Sequence, residues 1–191
     1  NKIGKMSILV FVGKGGTGKT TLTALTLKYF SEKNEVVLAF DLDPDSHLYK
    51  LIGFELNKTI GDIVDFVHKQ KHFELEPIKP PELSDREYFS SLVLSNVLVE
   101  GDQIDLITLG KPSSKIDCYC PVFLWTSYTI KEILKSYGKP YKHVVVDCDP
   151  GTEIFPRKIL KELSEKNEID YLFAIVDTSS MSLDTAEEIK K

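Results

Sequence analysis

Short runs of consecutive apolar residues alternate along this chain with segments whose apolar positions recur every three or four residues. Ser7–Val12, Val36–Phe40, Ile104–Leu109, His143–Val146 leading to Asp147, and Tyr171–Val176 are the continuous runs. Runs of that length, rich in Val, Ile and Phe, read as strands buried on both faces. Between them the period changes. Thr20–Glu32 carries Leu22, Leu25 and Tyr29 at helical spacing, with Ala24 beside them. Thr59–His68 places Ile60, Ile63, Val64 and Val67 on one face, and Thr59 with Asp62 forms a capping box for that helix. Ser84 with Glu87 opens another helix, through about Val99. Phe123–Tyr137, Glu153–Lys166 and Leu183–Lys190 complete the helical segments. Strand and helix in alternation predict an α/β fold with a mostly parallel sheet and helices on both faces. The Pro-rich stretch His72–Asp85 reads as a loop within one domain, taken to span residues 1–191.

Composition narrows the function classes. The 191 residues are 42% hydrophobic and 28% charged, enough apolar material for a core without disulfides. No apolar run approaches the ~18 residues of a spanning helix. A net charge of −5 argues against a basic nucleic-acid face, and no basic amphipathic helix marks a membrane surface. No export signal opens the sequence, and three cysteines is an odd number, so free thiols in a reducing cytoplasm are expected.

Gly13-Lys14-Gly15-Gly16-Thr17-Gly18-Lys19-Thr20 fits the phosphate-loop pattern and lies between a strand and a helix, as that motif requires. Glycines let successive backbone N–H groups curl inward onto phosphate oxygens, and the following helix aims its positive end at the same place. Lys19 supplies a point charge to the β/γ-phosphates, and the Thr20 hydroxyl stands ready to ligate Mg²⁺. With Gly at ~7% per position, chance produces the pattern in roughly 1% of chains this long. Phosphate cradling within one chain has no use for Lys14, which would otherwise be a solvated lysine.

Gly13 to Thr20, followed by Thr21, resembles the deviant Walker A loop of the MinD/ParA/nitrogenase-iron-protein group of dimeric P-loop ATPases. The resemblance implies a SIMIBI-type P-loop NTPase fold, ATP as the nucleotide, and a homodimer in which Lys14 reaches the partner's nucleotide. Asp43, after the second strand, then corresponds to the carboxylate that orients the attacking water. The alternative for Asp43-Pro44-Asp45 is a plain turn. Asp147, ending an apolar strand, is suited to hold Mg²⁺ through water. Behind it, Cys148-Asp149-Pro150-Gly151-Thr152-Glu153 resembles the group's second switch, with Gly151 as the hinge sensing the γ-phosphate and Pro150 in place of a small residue. The group has further elements, among them the one that reads the base, so the chain is expected to lack the C-terminal part of that fold.

Cys118-Tyr119-Cys120-Pro121 narrows the reading. Residues i and i+2 of an extended chain put both thiols on one side, and two thiolates are half of a four-coordinate soft-metal site. A two-fold dimer supplies the other half. Together with Lys14 and the run from Val99 to Pro112, the motif resembles the nickel-insertion ATPases that mature carbon monoxide dehydrogenase (the CooC type). That resemblance implies Ni²⁺ held by Cys118 and Cys120, with Zn²⁺ as competitor, and a nickel enzyme of the carbon monoxide dehydrogenase type as partner. Two alternatives stand beside it: a positioning or partition ATPase switch, and an electron-transfer ATPase with a bridging iron–sulfur cluster that uses Cys148. His47, His68, His72 and His143 lack metal-site spacing, and Phe123, Trp125 and Cys148 read as packing residues.

Overall fold

A computed structural model describes residues 6–69, 83–113, 120–136, 140–152, 159 and 169–190. The apolar runs form strands β1 (Ser7–Gly13), β2 (Val37–Asp41), β4 (Ile104–Thr108), β5 (His143–Asp147) and β6 (Tyr171–Ile175), joined by the two-residue β3 (Val99–Glu100). These six strands make one sheet in the order β3-β4-β2-β5-β1-β6. All neighbours are parallel except β3, which runs antiparallel to β4. The described helices are α1 (Lys19–Glu32), α2 (Leu48–Leu51), α3 (Ile60–Lys69), α4 (Leu83–Asn96), α5 (Cys120–Ser136) and α6 (Ser180–Lys190).

Alternate residues of each strand point to opposite sides of a sheet, and both sides are covered here. Ile8, Val10, Leu38, Phe40, Val144 and Val146 pack with Val64, Val93, Trp125 and Ile130 of α3, α4 and α5. Leu9, Phe11, Val37, Ala39 and Val145 pack with Leu27 of α1 and Leu48 of α2. The Thr59–Asp62 box closes as its spacing predicts: the Thr59 N–H donates to Asp62 Oδ2 at 2.8 Å and the Asp62 N–H to Thr59 Oγ1 at 3.3 Å.

Three expectations change, and a fourth falls largely outside the described residues. The apolar stripe of α1 faces outward: Leu25 and Tyr29 are 57% and 56% exposed, while Lys19, Thr23 and Leu27 are buried. The buried face of α1 also brings Thr23 to Asp147 of β5, described below. Strand β6 pairs with β1 as an apolar run should, yet Tyr171, Leu172 and Phe173 stay exposed. Helix α5 begins at Cys120 rather than Phe123, and the Cys118-Tyr119 part of the expected extended pair lies outside the described residues. Pro121 suits that position, because its missing N–H falls where a helix leaves N–H groups unpaired. Of the helix expected over Glu153–Lys166, only Ile159 lies among the described residues, and it is helical and buried.

Candidate nucleotide site

The parallel strands deliver their carboxyl ends to one edge of the sheet, where open α/β sheets bind ligands. Chain after β1 curls directly into α1. Gly13 sits at φ 139°, and a Cβ added there would lie 2.3 Å from the Ile175 carbonyl oxygen of β6, so only glycine fits. Gly18 takes the left-handed conformation at φ 94° and caps α1, whose first residue is Lys19. Lys19 is 6% exposed, and its Nζ donates to the Lys14 carbonyl at 3.0 Å. Thr17 Oγ1 donates to the same carbonyl at 2.9 Å. The loop thus folds around its own lysine. Thr21 points away, exposed along the groove between α1 and α2.

Asp147 ends β5 beside this loop. Thr23 Oγ1 donates to its Oδ1 at 3.1 Å, while its Oδ2 is buried with no hydrogen-bond partner. Burial pushes the Asp147 carboxyl up to about 6, against the pull of the Thr20 and Thr23 hydroxyls and the Lys19 charge. A buried carboxylate oxygen without a partner, next to the Thr20 hydroxyl, is the donor set a hard oxygen-seeking cation takes, so these residues fit Mg²⁺. Cys148 continues the strand, donating its N–H to the Phe11 carbonyl at 3.1 Å. Its thiol is buried and pushed well up by that burial, as a packing residue should be. Gly151 then donates its N–H to the Gly13 carbonyl at 3.0 Å, which brings the switch-like segment onto the phosphate loop. Among the described residues no cluster of three or more His, Cys, Asp or Glu forms a metal site.

Asp41 is the residue the sequence reading passed over. It ends β2 in register with Asp147 and is fully buried. Burial, then the neighbouring Asp147 charge, raise its carboxyl to about 7. Its Oδ1 accepts the Asp43 N–H at 3.2 Å and its Oδ2 accepts the Leu48 N–H at 3.1 Å. Asp41 therefore shapes the turn in which Asp43 sits and the start of α2. The available signal was its place as the strand's last residue in Phe40-Asp41-Leu42-Asp43. Asp43 itself is half-buried and accepts the Asp45 N–H on Oδ1 at 2.8 Å, so turn chemistry is present along with whatever else Asp43 does.

A phosphate-binding loop after the first strand, a buried Asp at the end of β5 and a parallel sheet are found together with a sequence match. Residues 8–191 match the CobQ/CobB/MinD/ParA nucleotide binding domain. The chain belongs to this family. An uncharacterized ATP-binding protein of Methanocaldococcus jannaschii is 35% identical over 184 residues, covering 96% of this chain and 67% of that protein. The carbon monoxide dehydrogenase accessory protein CooC of Rhodospirillum rubrum is 24% identical over 187 residues, covering 95% of this chain and 67% of its own. The septum site-determining protein MinD of Pyrococcus horikoshii, solved with Mg-ADP, superposes with a TM-score of 0.55 at 18% identity, covering 97% of this chain and 63% of that one. Cyanothece apo McdA superposes at 0.58 with 19% identity and covers 64% of that chain. This member of the MinD/ParA family thus spans about two thirds of the length of the proteins it matches.

The fold brings together Gly13 to Thr20, Asp147 and Gly151. It keeps His143 away from them. At the opposite end of the sheet, His143 Nδ1 meets Ser7 Oγ at 2.5 Å, its Nε2 meets Glu35 Oε2 at 2.8 Å, and its ring stacks on Phe30 at 3.8 Å. Phe123 and Trp125 are buried, Trp125 against Phe89 at 4.5 Å. Cys118 lies outside the described residues, as does the Cys120 side chain. No described helix is long and apolar enough to cross a membrane.

Proposed function

We propose that the chain is the nucleotide-binding part of an ATP-hydrolysing metallochaperone that loads Ni²⁺ into a nickel enzyme of the carbon monoxide dehydrogenase type. In this reading ATP lies in the Gly13–Thr20 loop, with Lys19 on its terminal phosphates and Thr20 and Asp147 holding Mg²⁺. The metal supplies charge neutralisation to the phosphate oxygens. Lys14 reaches the nucleotide of a second copy, and Asp43 orients the water that attacks the γ-phosphate. Closing of the dimer brings two Cys118–Cys120 pairs together around one nickel ion, and hydrolysis with release of phosphate reopens it.

One observation carries the reading beyond ATP binding. The segment that runs to the cysteines leaves the sheet at the nucleotide edge: Thr108 of β4 is in register with Asp41, and the Leu109 N–H donates to the Asp41 carbonyl at 2.8 Å. The C-x-C motif follows this segment in the sequence, and α5 starts at its second cysteine. The similarity to CooC supports nickel as cargo. Titrating Ni²⁺ into the ATP-bound protein and into Cys118→Ala/Cys120→Ala tests this. A loss of at least tenfold in affinity in the double variant is expected. Equal affinity in both removes nickel from the reading, and association with DNA or liposomes on ATP addition then favours the positioning ATPase.

A further inference from the structure

Beyond β4, the chain is fastened down residue by residue. The Gly61 N–H at the start of α3 donates to the Leu109 carbonyl at 2.8 Å. A Cβ on Gly61 would lie 2.6 Å from the Lys111 carbonyl carbon and the Pro112 nitrogen, so the backbones touch there only because the residue is glycine. Asp65, one turn further along α3 and buried, accepts hydrogen bonds from both the N–H and the hydroxyl of Ser113. The backbone of Lys111 is therefore held on either side. Its side chain points back to the sheet edge, where Nζ makes an ion pair with Asp45 Oδ1. Asp45 in turn donates its N–H to Asp43 Oδ1.

We propose that Lys111 is a positioning residue for the Asp43 turn, tethered through Asp65 and Gly61 to α3, so that ATP hydrolysis depends on the placement of the segment leading to the cysteines. This inference rests on the reading of Asp43 as the carboxylate that orients water. Asp43 has one carboxylate oxygen engaged by the Asp45 backbone N–H, so the placement of the Asp45 backbone bears on the Asp43 side chain. Lys111 holds the Asp45 side chain of the same turn from outside it. Its contact with a flexible exposed carboxylate limits the effect, because Lys111 and Asp45 side chains are 48% and 64% exposed. Tethering of the lysine backbone offsets part of the ordering cost that weakens ordinary surface pairs.

Steady-state ATPase measurements on the purified protein test this. Lys111→Ala is expected to lower kcat by about three- to fivefold with KM within about twofold of wild type. Lys111→Arg keeps the charge and is expected to restore most of kcat. Ser113→Ala, which loosens the tether without touching the ion pair, is expected to fall between wild type and Lys111→Ala. Three results overturn the proposal: Lys111→Ala with unchanged kcat, a KM that rises by the same factor as kcat falls, or Lys111→Arg no better than Lys111→Ala. Asp43→Ala is measured alongside. If it retains wild-type kcat, the water-orienting reading fails by itself. If it loses kcat while Lys111→Ala does not, only the positioning role fails.

Discussion

Thr23 on α1 donates from Oγ1 to Oδ1 of Asp147 at the end of β5, at 3.1 Å and fully buried. The bond lies on the face of α1 that meets the sheet. The helix turns Lys19, Thr23 and Leu27 inward and leaves its more apolar stripe in solvent. Thr23→Val keeps the shape and removes one of the two hydroxyls, with that of Thr20, that act on the buried Asp147 carboxylate. The expected cost is about 1–3 kcal/mol. Urea denaturation checks it, and Mg²⁺ with nucleotide should recover part of the loss by binding the same carboxylate.

The outward stripe makes a contrasting prediction. Leu25→Lys should change stability by less than about 0.5 kcal/mol, as a surface substitution does. Leu27→Ala, in the core against Val145 and Leu48, should cost about 2–5 kcal/mol. The two denaturation midpoints measured together decide whether α1 is turned as described. A reading of helical spacing alone predicts that Leu25 is the costly position.

Asp41 and Asp147 make stability depend on pH with a definite sign. Both carboxyls are raised by burial, to about 7 and about 6. The folded state binds those protons more tightly than the unfolded chain. Their contribution is fully present below the ordinary carboxyl range and is lost as pH rises through about 6 to 7. Asp41→Asn should flatten the fall in unfolding free energy between about pH 4 and pH 7, measured by denaturation at constant ionic strength. Glu35 acts in the opposite direction. Lys142 and His143 hold its carboxyl low, so its contribution is present above the ordinary range and is lost in acid.

Gly13→Ala places a methyl 2.3 Å from the Ile175 carbonyl oxygen in a conformation that L residues rarely adopt. Loss of nucleotide binding is expected, read by equilibrium titration of a fluorescent ATP analogue. The adjacent β6 must move to admit the methyl, so a lowered melting temperature should accompany the loss.

Much of this architecture was legible in the sequence because its strands and loops obey local rules. The buried strands read as continuous apolar runs, and the loop from Gly13 to Thr20 carries its own geometry in its glycines. What was not legible depends on the tertiary arrangement. Leu22, Leu25 and Tyr29 have helical spacing, but the buried side of α1 is the one that carries Leu27 into the core and Thr23 to a residue more than a hundred positions away. Asp41 looks like any strand-end carboxylate until the register places it beside Asp147. Lys111 and Asp65 are ordinary charged residues in sequence, and only the approach of Gly61 to Pro112 gives them a shared task. The helix start at Cys120 was missed because two cysteines two apart invite an extended reading, although Pro121 marks a first turn.

In the proposed function two copies close over nucleotide and share one ion. Sedimentation velocity of the protein with Ni²⁺ and a non-hydrolysable ATP analogue, combined with metal analysis of the sedimenting species, measures this directly. The predicted result is a species of twice the chain's mass with one nickel per two chains, lost in Cys118→Ala/Cys120→Ala. A species of single-chain mass at saturating nucleotide, or one nickel for every chain, contradicts it.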